Sequence, residues 1–67
     1  MLRKIGTVIG GRTGQPFEVW WFSLPGAARG HYEVRRPNHK VPIDPRQKEA
    51  NDEEHAIEKA KNDVTDL

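Results

Sequence analysis

The chain contains no cysteine, which excludes a disulfide framework, a common staple of very small folds. Metal is the other usual staple, but the three histidines stand at 31, 39 and 55 without ligand spacing. Methionine occurs only at position 1, and no apolar run of signal-peptide length follows it. No stretch approaches the roughly 18 apolar residues of a membrane span. These absences lead us to expect a soluble, cytoplasmic protein with no membrane partner. Aromatic residues are also scarce: two Trp, two Phe and one Tyr. A 67-residue chain makes one small domain, and a domain of this size buries only about 60% of its unfolded surface. Stability must then rest on a small aromatic-rich core, on self-association, or on both.

Catalytic signatures are missing too. The segment IGTVIGGRTG is rich in glycine, but no Gly-Lys-Ser/Thr ending follows it. Pro16 and a second strand-forming run come next where a phosphate loop or dinucleotide fingerprint needs a helix. It reads as hairpin chemistry. Thr7, Thr13 and Ser23 have no cue pairing them with a base. Asp52, Glu53, Glu54 and Glu58 fall on the outer sides of a helix. We therefore expect a non-enzymatic chain with no cofactor and no metal.

What the sequence does contain is charge sorted by position. Residues 1–48 hold nine Lys/Arg and three Asp/Glu, a net +6, while residues 49–67 hold two and seven, a net −5. The overall +1 thus hides a basic body joined to an acidic segment. A basic body is the electrostatic footprint of a polyanion binder, although a solvated basic surface is the simpler alternative. The acidic segment could be a solvated face, a shield for the basic body, or a phosphate mimic that engages a basic protein.

The first half reads as strands. Ile5–Ile9 is β-branched and is closed by Gly10-Gly11. GGRTGQP supplies a loop, and Phe17–Leu24 (FEVWWFSL) has the strongest strand propensity in the chain. Pro25-Gly26 ends it, and His31–Arg36 forms a third strand closed by Pro37-Asn38. A short fourth strand around Lys40–Ile43 is possible, confined to an edge by Pro42. Asn51 followed by Glu54 predicts an N-cap, and Ala56, Ile57, Ala60 and Val64 recur at helical spacing. The expected single domain is a basic antiparallel sheet over 1–44, a linker over 45–50, an acidic helix over 51–64 and a frayed tail over 65–67. Its class is α+β: a three- or four-stranded antiparallel sheet with one C-terminal helix packed on one face.

Strand alternation gives Phe17, Val19 and Trp21 one face of the second strand and Trp20, Phe22 and Leu24 the other. Both faces are apolar and one helix covers only one of them. The second face is covered by the N-terminal residues or the 42–50 loop, or it serves as a self-association surface or an aromatic platform. Trp21 is expected to be the more exposed indole because Ser23 shares its face, although Glu18 marks the opposite face in the same way. Arg12, Arg36, His39 and Lys40 should converge at one end of the sheet, with Arg3, Lys4 and Arg29 at the other. Arginines near loops with aromatics between them suit phosphate contact and base stacking. The first expectation is a nucleic-acid-binding module, for DNA or RNA, in which Arg12, Arg29, Arg35, Arg36 and Lys40 meet phosphates and Trp21 stacks. The alternative is a protein-interaction module or small regulator or inhibitor of phage or mobile-element type, working as a homodimer packed through the second apolar face.

The order of three antiparallel strands and then one helix resembles the DNA-reading arm domains of tyrosine integrases, in which sheet residues enter the major groove. PFEVWWFSLPG followed later by DEEHAIEKAKND is similar to HicB-type antitoxins, where a strand ending in Leu-Pro-Gly precedes a Glu- and Ala-rich helix. Here Ser23 stands where that family has an acidic residue and a long segment separates the two pieces. No residue role carries over.

Overall fold

The β-branched and aromatic residues of the first third form a hairpin. In the computed structural model, which describes residues 2–67, β1 is Arg3–Ile9 and β2 is Pro16–Phe22. They pair antiparallel, from Arg3 opposite Trp21 to Ile9 opposite Pro16. β3 (Gly30–Arg35) pairs with β2, and β4 (Lys48–Ala50) pairs with β3. The result is an open four-stranded antiparallel sheet in the order β1-β2-β3-β4. Helix α1 (Glu53–Asp63) packs on one face and touches every strand. The fold is α+β, as expected.

Alternation along β2 divides its aromatics. Phe17, Val19 and Trp21 lie under the helix with Val8, Tyr32, Val34 and Ala50, all buried, while Trp20 and Phe22 lie on the opposite face, partly exposed. Ala56, Ala60 and Val64 of the chain's last third are fully sealed against this core, and Ile57 packs beside them. Such a small stripe lets the helix sit close to the sheet. The register of β1 shifts between Lys4 and Gly6, so Ile5 is the extra residue of a β-bulge. The bulge returns Gly6 to the helix side, where a Cβ would stand 3.1 Å from Ile57 Cδ1. Gly30 is more constrained. A Cβ there would approach Trp21 Cη2 to 2.7 Å and the Phe22 carbonyl to 2.8 Å. The missing side chain of Gly30 is the slot that receives the Trp21 ring.

Local signals explain the ends of the elements. Asp52, extended at φ −156°, caps α1 by accepting from the His55 N–H at 2.8 Å. His55 Nδ1 in turn accepts from the Asn51 N–H at 3.0 Å. The cap is thus Asp52 and not the expected Asn51: the residue whose carboxylate can reach three positions on is the one already extended. Glu53 and Glu54 fill the first turn and Lys61 the last, matching the helix dipole.

Two further expectations are corrected. The fourth strand lies at 48–50 rather than 40–43, inside the segment read as linker. Around 40–43 the chain makes a single bridge from Pro42 to Arg35 and a bond from Ile43 N–H to the Val34 carbonyl at 2.9 Å. Pro42 cannot donate to a longer ladder. Residues 65–67 are tied down and not frayed. The Gly11 N–H donates to the Val64 carbonyl, and both the N–H and the hydroxyl of Thr13 donate to the Leu67 carbonyl at 3.0 and 2.7 Å.

A polar network closes the β4 margin of the core. The Tyr32 hydroxyl donates to Asp63 Oδ2 at 2.6 Å, and Lys48 Nζ bridges Asp63 and Asp44 at 3.4 Å each. Arg46 holds the Asp44 carboxyl well below the usual carboxylate range by hydrogen bonding. Burial, then the Asp63 carboxylate, push the Tyr32 phenol far above its ordinary 10.0. A raised folded-state pKa adds stability that is fully present below pH 10.0 and lost as pH climbs toward the folded value. The melting temperature should therefore fall more steeply above pH 10.0 in the native chain than in Tyr32→Phe. At neutral pH that substitution should cost about 1 kcal/mol for the lost hydrogen bond. Thermal melts across the alkaline range check this, and identical slopes would contradict it.

Candidate nucleic-acid interface

The face of the sheet away from the helix is built from alternate residues. Lys4 opposes Trp20 on β2, Thr7 opposes Glu18, and across to β3 Glu18 meets Arg35, Trp20 meets Glu33 and Phe22 meets His31. Trp20 is held by two of these neighbours. The Arg35 guanidinium lies over its ring, 4.5 Å from the centroid, and its Nε1–H donates to Glu18 Oε1 at 3.1 Å. Glu18 also faces Lys4 Nζ at 3.5 Å, and Glu33 pairs with Arg35. The face therefore presents a fixed indole among two cations and two carboxylates that neutralise each other.

The cationic side chains lie at the rim. Arg36-Pro37-Asn38-His39 forms a tight turn closed by the His39 N–H to the Arg36 carbonyl at 3.1 Å, with Asn38 at φ 63°. Positive φ at the third position suits asparagine in a type II turn. The turn sets His39 and Lys40 beside Trp20, and with Asn38, Glu18 and Arg35 they line a shallow notch of about 580 Å³. A neighbouring cleft at the same end holds Arg12, Thr13, Gln15 and Arg36, with Phe17 and Asp66 in its wall. The Arg36 guanidinium lies 5.5 Å from the Phe17 ring centroid.

Of the sequence-derived candidates, Arg12, Arg36 and Lys40 are exposed and, among the described residues, enter no ion pair. They share one end of the sheet, as the strand order implied. Arg35 is different: its side chain is only 12% exposed, stacked on Trp20 and paired with Glu33, so it positions the indole and does not reach outward. Arg29 sits at the far end, paired with Glu49 at 3.4 Å. Trp21, expected to be the exposed ring, is 6% exposed beneath the helix. Ser23, taken to mark its face, lies beyond the end of β2 and carries no alternation signal. Glu18, within the strand, marked the open face correctly. Sequence reasoning therefore missed Trp20 as the surface indole, with Glu18 as its orienting partner and Asn38 as the turn residue.

The acidic segment folds back on the basic body. Arg3 pairs with Glu53, Arg29 with Glu49 and Lys48 with Asp63. Of the nine cations in residues 1–48, the unpaired ones are those of the loop end. No family model, curated protein or solved structure matches this chain. No helix among the described residues is long and apolar enough to cross a membrane.

Proposed function

We propose that the chain is a non-catalytic nucleic-acid-binding module that uses the loop end of its sheet, centred on Trp20, as the contact surface. The observation carrying this reading is the pairing of a pre-oriented, partly exposed indole with unpaired cations. Arg35 and Glu18 fix the ring, Lys40 and His39 border it, and Arg36 and Arg12 stand around the corner. An aromatic ring offers stacking that tolerates any base, and side-chain cations at its rim meet phosphates without reading sequence. A ring already locked in position loses little rotamer freedom on binding.

The number of unpaired cations sets the expected strength. Each phosphate contact contributes about 0.7 to the logarithmic salt slope for a single strand and about 0.9 for duplex. Arg12, Arg36 and Lys40 together give a slope of about −2 to −3, whereas six contacts would give about −4 to −5. Fluorescence anisotropy of a labelled oligonucleotide, titrated between about 50 and 200 mM salt, measures this. Binding with the shallow slope, weakened by Arg12→Glu and Arg36→Glu, is the expected result. A flat titration at about 50 mM salt would overturn the proposal.

A further inference from the structure

Resting on that reading, we infer that the ligand is a single strand of nucleic acid, with a base laid on the Trp20 indole and its backbone running along the Arg36–Lys40 rim. The partition of charge is the first reason. The open face carries Glu18 and Glu33 directly beside Trp20, each answered by a cation of the same face, Lys4 or Arg35. A phosphate laid across this face would meet two carboxylates and find no unpaired cation. Among residues 1–48 the unpaired cations stand off the face, in the turn after β3 and the loop after β1. A ligand that fits must hold its uncharged rings apart from its phosphates and present the two to different surfaces. A single strand does this, whereas a duplex shows phosphates outward and keeps its base faces stacked inside.

Spacing is the second reason. Phe22 follows Trp20 on the same face, and side chains two apart on a strand are separated by about 7 Å. Successive bases of a duplex strand rise about 3.4 Å. A ligand whose bases were to reach both rings would have to be splayed, as an unpaired strand can be. The third reason is shape. Duplex readers push a helix or ribbon into a groove about 12 Å wide. Here one face of the indole is stacked on the largely buried Arg35 guanidinium and its Nε1–H is tied to Glu18, so the ring is held at the sheet surface.

The test compares one labelled strand, as DNA and as RNA, with the same strand annealed to its complement, at about 50 mM salt. The single strand should bind at least about tenfold tighter than its duplex, and the DNA and RNA arms show which backbone is preferred. Trp20→Ala should weaken single-strand binding about 5- to 150-fold, the range of one stacked base, with little effect on duplex. Trp20→Phe should restore most of it, and circular dichroism checks that both variants remain folded. Duplex binding as tight as the single strand, indifferent to Trp20→Ala, would overturn the inference and leave the nucleic-acid reading intact. Binding to neither form would overturn that underlying reading as well.

Discussion

Trp21→Ala is expected to lose about 3–5 kcal/mol of stability, while Trp20→Ala stays close to native stability and, on the proposed function, weakens single-strand binding. The two residues are adjacent and chemically identical, so composition and local propensity cancel and only the face differs. Trp21 lies beneath α1 with Phe17, Val19, Tyr32 and Val34, at 6% exposure. Truncating a buried Trp costs about 3–5 kcal/mol. A domain of this length has roughly 3–10 kcal/mol of stability to lose. Trp20 gives up a partly exposed cation–π contact, worth about 0.5–1 kcal/mol, and one hydrogen bond worth about as much. Urea unfolding followed by circular dichroism should separate the variants by about 1–4 kcal/mol. Equal midpoints, or a less stable Trp20 variant, would mean the faces are assigned the wrong way round.

Gly30→Ala should be the most damaging single-methyl change in the sheet. A Cβ at this position overlaps the benzo edge of Trp21 and crowds the Phe22 carbonyl, and neither yields easily. The ring is enclosed by the core, and the carbonyl belongs to a strand paired on both sides. Overpacking of this kind costs about 1–3 kcal/mol, and we expect the upper end. The overlapping ring atoms are absent from phenylalanine, so Gly30→Ala should cost less in a Trp21→Phe background. The carbonyl contact remains there, which makes the rescue partial. A double-mutant cycle on thermal melts measures the coupling. Strict additivity would show that Gly30 does not form the Trp21 slot.

These two positions also show what could be read in the sequence. The strands of the hairpin, β3 and the helix were legible because β-branched residues, aromatics and small helical apolars fell where period and turn signals agreed. Alternation separated Trp20 from Trp21. It could not say which side α1 would cover, because β2 is apolar on both faces and the helix stripe is too small to choose. That choice depended on Gly30, whose significance appears only once β3 lies beside β2. Lys48–Ala50 has no strand propensity of its own and is recruited by the exposed edge of β3. The charge sorting was visible, but the Arg3–Glu53 and Arg29–Glu49 pairs join residues distant in sequence. Only the folded chain reveals which cations they leave unpaired. Arg35 was misread for the same reason: its stacking partner lies on the neighbouring strand.

The bulge at Ile5 has a bearing on solubility. A sheet open at both margins offers each border strand as a template for another chain, the route to fibrous association. On one margin the extra residue interrupts the ladder midway and Arg3 and Lys4 sit at its start, so a second copy cannot zip along β1 without a break and without setting like charges together. The opposite margin is only three residues long and leads almost at once into α1. Growth by strand addition is thereby discouraged at both borders, and a chain with a largely apolar central strand can remain dispersed.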